Sequence, residues 1–369
     1  MLQRYRLKRI LHSLTDSGLF TFALGIGLIA LFVGHQTPKL STEDFSEAWV
    51  QTITATAEGE AVYVVFNNGP QPDGLYRSQD NGQSWEYLSD KPGAYFNVLA
   101  VDPTDETTLY GGTVGASAVI AHSLWRSEDS GQTWQELLLD LPTDPEGYLP
   151  TITTLTIDPQ QPEILYVGTE GRGLYRFNTE TDGYGYTAMG GVSAYNADIK
   201  QATVSNDSQL YVLTRDGLFI VTEDNWQKLD TVPEIPISLA ISPSDRDILY
   251  IGGPSSGVYR STDAGQTWQW IGGEWWTIPG AALRGTALTV DVQDAKHVIA
   301  ATAYQVGDEM VGGNIYETYN AGLTWVKVAE ANGVIDHLVL NDEAIYAIGS
   351  NGLARYGDFI PAATANLER

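Results

Sequence analysis

Aspartates at a repeated spacing are the residues of this chain whose pattern could do chemistry. Asp80, Asp129 and Asp263 each follow a Ser by two residues and precede a Gly by two. A glycoside hydrolase would need two carboxylates about 5–10 Å apart across its substrate, and the chain offers 46 acidic residues from which a pair could come. The sequence alone therefore leaves hydrolytic chemistry open.

The element that must position these aspartates is a β-hairpin. The motif is LYRSQDNGQSW at residues 75–85, LWRSEDSGQTW at 124–134 and VYRSTDAGQTW at 258–268, with a worn copy, IYETYNAGLTW, at 315–325. The leading apolar-aromatic pair predicts a buried strand, and the Ser, Asp and Gly provide a tight turn. The final Trp begins a return strand and can pack into a core. We interpret the aspartates as structural.

The motif resembles the Asp-box, S/T-x-D-x-G-x-T-W, of the BNR repeat family. In that family the box is a structural hairpin of a β-propeller, and the resemblance implies the same role here. The fourth copy departs from the pattern because it has Asn in place of Asp. The predicted structural residues are Ser78, Asp80, Gly82, Trp85, Ser127, Asp129, Gly131, Trp134, Ser261, Asp263, Gly265, Trp268, Asn320, Gly322 and Trp325.

Three strand types recur between residues 49 and 356. The first ends in Asp-Pro or Ser-Pro, the second centres on Leu-Tyr, and the third resembles GLYR. Tyrosines of the second type stand 47, 56, 45 and 39 residues apart from Tyr63 to Tyr250, which is the period of a four-stranded propeller blade. Seven second and seven third strands predict an all-β, seven-bladed propeller of four-stranded blades over residues 49–361. The seventh unit offers only three strands, so we expect residues 45–51 to cover its open edge.

The N-terminal segment predicts a membrane anchor. Residues 18–34 form an uncharged apolar run after four basic residues, about 26 Å long as a helix. A cleaved signal peptide is the competing interpretation, but no A-x-A-like site follows. We expect residues 1–17 to be cytoplasmic, 18–34 to cross the membrane, 35–48 to act as a tether, the propeller to face the periplasm or the outside, and 362–369 to form a tail.

Composition excludes several classes of protein. The chain has 369 residues, no Cys and a net charge of −26. Residues 1–36 carry a net +3, so the remainder carries −29. Nucleic acid is therefore not an expected partner, and disulfides, thiolate metal sites and Cys nucleophiles are absent. The histidines show no metal-ligand spacing, and we expect no cofactor.

Long connections between the second and third strands, and after the fourth, concentrate in one sector of the predicted ring. Function often resides in such loops, and exposed aromatic and Met side chains anchor interfaces. The alternative for Trp275 and Trp276 is that both side chains fold under their own loop. Glu274, Asp308 and Glu309 could bind a cation, but solvated charge is the simpler interpretation. The predicted partner-binding residues are Tyr148, Trp275, Trp276, Tyr304 and Met310.

Asp-box propellers include enzymes and non-enzymatic proteins, and both groups bear on the function expected here. The resemblance to sialidases extends only to the hairpin. Sialidases also have an Arg-Ile-Pro motif, and the nearest match in this chain has Thr277 in place of the Arg. The repeat style is similar to xyloglucanase propellers, which use two rings. It also resembles single-ring, non-enzymatic propellers such as the photosystem II assembly and stability factor family, and sortilin-type receptors. The expected function is a tethered, non-enzymatic scaffold that docks on an integral-membrane complex; the alternative is a glycan-binding protein or glycoside hydrolase.

Overall fold

The computed structural model describes residues 42, 49–56, 59, 61–67, 72–89, 92–114, 124–137, 141–143, 146–181, 186–189, 197–272, 281–331, 333–341 and 344–356. The chain divides into two compact units, Met1–Lys39 and Leu40–Arg369. The predicted anchor at 18–34 and the tail at 362–369 lie outside the described residues, as does the tether except for Thr42. Within the described ranges, no helix is both long enough and apolar enough to cross a membrane.

The described part of the second unit is built mainly from antiparallel strand pairs, and it includes a short 3-10 helix at Gly93–Tyr95. The first sheet contains β1 (Trp49–Ala55), β2 (Val62–Asn67), β3 (Gly74–Ser78) and β4 (Glu86–Ser89). The second contains β5 (Phe96–Val101), β6 (Leu109–Thr113), β7 (Leu124–Ser127) and β8 (Gln135–Leu137). The third contains β9 (Ile152–Asp158), β10 (Gln161–Thr169), β11 (Gly173–Asn178) and β12 (Tyr186–Ala188).

Three further sheets complete the fold. The fourth contains β13 (Ile199–Val204), β14 (Leu210–Thr214), β15 (Gly217–Val221) and β16 (Trp226–Lys228). The fifth has eight strands, β17 (Ser238–Ile241), β18 (Leu249–Gly252), β19 (Ser256–Ser261), β20 (Gln269–Trp270), β21 (Ala282–Val290), β22 (Val298–Val306), β23 (Glu309–Thr318) and β24 (Val326–Glu330). The last sheet has three, β25 (Ile335–Leu340), β26 (Ile345–Gly349) and β27 (Gly352–Tyr356).

The prediction of an all-β propeller is confirmed, but seven separate four-stranded sheets are not found. Among the described residues there are six sheets, and five of them have four or more strands. The β17–β20 and β21–β24 groups join because β19 pairs in parallel with β21, through Ser256↔Leu283 and Gly257↔Arg284. The first strands β1, β5, β9, β13, β17, β21 and β25 contact one another in that order, and β25 contacts β1. The sheets therefore close into a ring.

The core lies between neighbouring sheets, and the second strands supply more of its buried hydrophobic residues than the first or the third strands do. All five residues of LYGGT in β6 and of LYVLT in β14 are buried. A strand covered on both faces needs apolar side chains at every position rather than at alternate ones. The Tyr at this position of most second strands is among the largest fully buried side chains, as at Tyr63, Tyr110 and Tyr211.

The expectation for the closing segment was wrong at its C-terminal end. Trp49 and Val50 pair with Asn67 and Phe66 of β2, so they belong to the first sheet and cannot complete the last one. The register favours β2 because it places Val50 and Ile53 in the buried core. Residues 45–48 lie outside the described residues.

The first and last sheets nevertheless pack directly on each other. Trp85 of the first sheet shares a buried cluster with Tyr346 and Leu353 of the last. Arg355 Nε donates to the Asn81 carbonyl at 2.6 Å, and Asn341 Nδ2 donates to Asn81 Oδ1 at 2.9 Å. Asn81 lies in the turn of the first Asp-box-like hairpin, so this hairpin holds the two ends of the ring together.

The two open faces of the ring carry different connections between strands. We call the end with the turns after first and third strands the turn face, because it carries the Asp-Pro turns and the Asp-box-like hairpins. The opposite end, with the connections after second and fourth strands, is the loop face.

Candidate partner-binding surface

The aspartate carboxylates of the repeated motif are hydrogen-bonded within their own hairpins. Asp129 Oδ1 accepts hydrogen bonds from the Thr133 amide at 2.8 Å and from the Ser127 hydroxyl at 2.8 Å, and its Oδ2 accepts from the Thr133 hydroxyl at 2.5 Å. The Gly131 amide donates to Ser127 Oγ at 2.9 Å. Asp80 and Asp263 make the same set of contacts with their own neighbours.

Charge is not needed for this hairpin. Asn320 Oδ1 accepts from the Thr324 amide at 2.8 Å and from the Thr318 hydroxyl at 2.9 Å, while its amide group donates to Thr324 Oγ1 at 2.7 Å. In the charged copies the Thr267 hydroxyl and amide hold the pKa of Asp263 below its usual value. A neutral side chain makes the same contacts, so the geometry of the hairpin does not depend on the carboxylate charge.

The structure does not bring the predicted partner-binding residues together. Tyr148 is 46% exposed in the connection between β8 and β9, whereas Met310 is 40% exposed in β23. Around the ring, β9 is separated from β21 by β13 and β17 in one direction. Trp275 and Trp276 lie outside the described residues.

Tyr304 differs from the prediction because it contributes to packing. It is half-buried in β22, packs against the cluster that contains Val258 and Leu283, and accepts a hydrogen bond from Asn314 Nδ2 at 3.2 Å. It therefore stabilises the base of a long hairpin rather than projecting from it.

That hairpin is the main elaboration of the loop face. Residues 304–313 form one of the long connections between a second and a third strand, and within it β22 and β23 stay paired up to Val306↔Glu309 before the chain reverses at Gly307 with φ 64°. Arg284 of β21 donates to Gln305 Oε1 at 3.1 Å and braces one side. The tip exposes Val306 (53%) and Met310 (40%) beside the exposed Asp308 and Glu309.

A second apolar cluster lies on the turn face of the same strand group and was missed by the sequence reasoning. It consists of Tyr319, Leu323 and Val326, which are 41%, 71% and 63% exposed. The signal was present in the aligned repeats. The matching positions hold polar residues in the other three copies: Gln79, Glu128 and Thr262; Gln83, Gln132 and Gln266; Glu86, Gln135 and Gln269.

Exposed apolar side chains are concentrated in the β21–β24 group. Among the described residues ten large hydrophobic side chains are exposed, and six of them (Val292, Val306, Met310, Tyr319, Leu323 and Val326) lie in this group or its connections. Scattered exposed apolar residues need no explanation, whereas apolar residues that lie together on one surface mark interaction sites. This group is the strongest candidate for a partner-binding surface.

The same group contains a buried ionic cluster. His297 Nδ1 lies 2.8 Å from Asp291 Oδ2, and its Nε2 lies 2.9 Å from Glu317 Oε1. Tyr319 donates its hydroxyl to Glu317 at 2.7 Å and stacks on the imidazole with ring centroids 4.4 Å apart. Burial opposes the charge on His297, but the hydrogen bonds to Glu317 and Asp291 outweigh it and raise the pKa of His297.

Two cavities lie where the first strands meet at the turn face. The larger, about 380 Å³, is lined by uncharged residues that include Thr54, Val101 and Pro159. The smaller, about 240 Å³, includes Asp291 and Asn341. Neither lining contains the two carboxylates that glycoside hydrolysis requires. Within the described ranges, no group of His, Asp and Glu side chains could hold a metal ion.

Solved structures with the same fold include a xyloglucanase and YCF48. The GH74 xyloglucanase from Xanthomonas campestris superposes with a TM-score of 0.66 at 17% identity, over 88% of this chain and 55% of its own. This chain thus spans about half the length of that protein. YCF48 from Cyanidioschyzon merolae superposes with a TM-score of 0.59 at 14% identity, over 84% of this chain and 95% of its own.

A further solved structure is YCF48 bound to D1 peptide, with a TM-score of 0.60, 14% identity and coverage of 85% of this chain and 94% of the other. At these identities the likeness establishes the propeller fold alone. No model of a known protein family matches the chain, and no curated protein matches it by sequence.

Proposed function

We propose that this protein is a membrane-anchored, extracytoplasmic β-propeller scaffold. It docks on an integral-membrane complex, photosynthetic or respiratory, as an accessory subunit or as an assembly or stability factor. The docking element is the β21–β24 group. The observation that carries this proposal is the concentration of exposed apolar side chains at both ends of that group.

Two further features support a scaffold. The aspartates of the repeated hairpins have both carboxylate oxygens hydrogen-bonded within their own turns, as at Asp129. YCF48, which has the same fold, has been solved with a bound peptide, so a single-ring propeller of this kind can bind a protein segment. A shared membrane would also raise the effective concentration of the partner, which lets modest affinity suffice.

The anchor and the blade count belong to this proposal. The apolar run at residues 18–34 would hold the propeller on the periplasmic or outer side of a cell membrane. The eight-stranded sheet would count as two blades, β17–β20 and β21–β24, which makes seven units with the last sheet. The ring of seven first strands supports that count.

The test is purification from membranes in mild detergent through a C-terminal tag, followed by mass spectrometry. A stoichiometric integral-membrane complex is the expected result. Two matched variants locate the contact: Val306→Thr with Met310→Thr on the loop face, and Leu323→Gln with Val326→Gln on the turn face. At least one pair should reduce recovery of the partner about tenfold or more, as loss of interface anchors does.

Matched controls come from the other exposed hydrophobic residues. Ile235→Thr, which changes a side chain that is 51% exposed outside the β21–β24 group, should leave recovery unchanged. Release of the protein without detergent, with no partner recovered, would contradict the proposal. Cleavage of xyloglucan by the same preparation would then favour the glycoside hydrolase.

A further inference from the structure

The tip of the fourth Asp-box-like hairpin differs in charge from the tips of the other three. From the Ser or Thr of the motif to the residue after its Trp, the first three copies read SQDNGQSWE, SEDSGQTWQ and STDAGQTWQ, and each contains an acidic residue. The fourth copy reads TYNAGLTWV and contains no charged residue. Its backbone is the same, since Ala321 and Gly322 have φ of 58° and 83° where Ser130 and Gly131 have 58° and 86°. The turn itself therefore does not require these replacements.

Three exposed apolar side chains lie together on this hairpin. Tyr319 is fixed by its stacking on His297 and by the hydrogen bond from its hydroxyl to Glu317. Val326 pairs with Glu317 across the hairpin, so its side chain lies on the same face as that of Glu317. Leu323 lies at the turn between them and is the most exposed of the three. We call Tyr319, Leu323 and Val326 the apolar tip.

The chain length between the predicted anchor and the propeller limits how far the turn face can lie from a membrane. Trp85 Nε1 donates to Thr42 Oγ1 at 3.1 Å, and the Thr42 hydroxyl donates to the Gly82 carbonyl. Gly82 belongs to the first hairpin, so Thr42 lies on the turn face. Seven residues separate Thr42 from Gly34, the last residue of the apolar run. If that run crosses a membrane, the chain between them keeps this part of the turn face within about 30 Å of the hydrocarbon core.

We propose that the turn face points toward the membrane and that the apolar tip inserts between lipid headgroups. This inference rests on the anchor of the proposed function and adds to it a second, direct contact with lipid. Aromatic and aliphatic side chains that are exposed together favour the boundary between headgroups and acyl chains. The apolar tip lies on the same face of the ring as Thr42, because both lie at Asp-box-like hairpins. One sheet separates the two hairpins around the ring, since β21 contacts β25 and β25 contacts β1.

The charge of the turn face favours uncharged lipid headgroups. The chain after residue 36 carries a net charge of −29, and the turns of the second and third hairpins contain Glu128, Asp129 and Asp263. An anionic membrane would repel these carboxylates. The fourth hairpin is the copy that can approach a bilayer without bringing a carboxylate of its own turn with it. The lipid that the apolar tip fits is therefore zwitterionic, with phosphatidylcholine as the simplest example.

The apolar side chains at the other end of the same strand group suit a different partner. Val306 and Met310 lie on the loop face beside the exposed Asp308 and Glu309. A polar rim around apolar side chains is typical of protein interfaces, whereas carboxylates are costly to insert among acyl chains. The loop face thus remains open to the membrane complex while the apolar tip contacts lipid.

A fluorescent probe on a single cysteine tests the lipid contact, because the chain contains no Cys of its own. The full chain carrying Leu323→Cys is labelled with an environment-sensitive fluorophore and reconstituted into phosphatidylcholine vesicles that contain no other protein. The matched control carries the label at Gln266→Cys, the same position of the third hairpin. Nitroxide-labelled phosphatidylcholine should quench the probe at residue 323 at least about threefold more than the probe at residue 266, because the apolar tip reaches the acyl boundary.

Two changes to this experiment test the chemistry of the contact. Adding Val326→Gln, which gives the fourth hairpin the residue found at Gln269 of the third, should reduce the quenching at residue 323 about twofold or more, since apolar area is lost. Replacing about one third of the phosphatidylcholine with phosphatidylglycerol should also reduce it, because anionic headgroups repel the acidic turn face. Quenching that is unchanged by Val326→Gln, or strengthened by phosphatidylglycerol, would contradict the proposal.

The outcomes separate this inference from the proposed function. Equal quenching at residues 323 and 266, or no quenching at residue 323, in vesicles that contain the protein would overturn the lipid contact alone. Shielding of the probe at residue 323 from aqueous iodide only within the complex recovered through the C-terminal tag would assign the apolar tip to a protein partner and would also overturn the lipid contact. Recovery of the full chain apart from the vesicles on flotation would overturn the anchor, and both proposals with it.

Discussion

Glu317 Oε1 lies 2.9 Å from His297 Nε2. Glu317 occupies the position at which the other hairpins have Arg77, Arg126 and Arg260. The position before the Ser or Thr of the motif is therefore basic in three repeats and acidic in the fourth. The buried imidazole of His297 lies between Glu317 and Asp291 and contacts both carboxylates. The strand group with the most exposed apolar side chains among the described residues thus also contains the buried His297 and Glu317.

We expect the stability of the protein to depend on pH through His297. Its pKa is raised in the folded state, so the stabilising contribution is complete below the unfolded value of about 6.5. That contribution is lost as pH rises through the folded pKa. The midpoint of urea unfolding should fall as pH rises above about 6.5. In Glu317→Gln, which removes one carboxylate, the fall should be smaller, and identical pH profiles would contradict this role.

Replacing Asp129 separates charge from hydrogen bonding in the hairpin. Asp129→Ala removes the contacts with the Thr133 amide and hydroxyl and should lower the free energy of unfolding by about 1–2 kcal/mol. Asp129→Asn should cost less, because Asn320 makes equivalent contacts in its own hairpin. Chemical denaturation of the three proteins checks this. Equal losses for Ala and Asn would mean that the carboxylate charge matters more than its geometry.

Closure of the ring can be probed with glycines that share a backbone conformation. Gly82 has φ 75°, and a Cβ there would lie 2.8 Å from Tyr346 Cε1 of the last sheet. Gly171 has φ 69° and nothing within 4 Å of the corresponding position. Both Ala variants carry the strain of a left-handed backbone, roughly 1 kcal/mol.

Only Gly82→Ala should also disturb the contact between the first and last sheets. Its midpoint of thermal unfolding should therefore lie several degrees below that of Gly171→Ala, since a loss of about 1 kcal/mol shifts the midpoint by a few degrees. Equal midpoints would indicate that the two sheets separate without cost.

Trp325 and Trp268 offer a second matched comparison, between an indole with a hydrogen-bond partner and one without a partner among the described residues. Trp325 Nε1 donates to the Ile271 carbonyl at 2.8 Å, whereas Trp268 Nε1 is buried and has no partner among the described residues. Trp325→Phe should thus leave a carbonyl unsatisfied and cost about 1 kcal/mol more than Trp268→Phe. Denaturant unfolding of both variants measures the difference. A larger loss for Trp268→Phe would mean that packing of the ring, not the hydrogen bond, dominates.

Local patterns allowed much of this fold to be predicted. The Ser, Asp and Gly spacing of the hairpin acts over a few residues, so the contacts of Asp129 follow from sequence neighbours. Polar-to-apolar changes between repeats, such as Leu323 in place of Gln83, are also visible in the aligned copies, although no exposed apolar cluster was predicted from them. Tyr304 could not be assigned, because its burial depends on how far β22 and β23 remain paired beyond the ring.

The sequence by itself determined the strand types, the turn chemistry and the repeat, because these depend on residues close together in the chain. Only the tertiary structure decided which strands join which sheet. Val50 pairs with Phe66 rather than with the last sheet, and Asn81 meets Arg355 although 274 positions separate them. Such contacts are decided by competition between distant surfaces for burial and hydrogen bonds, and no local pattern records its result.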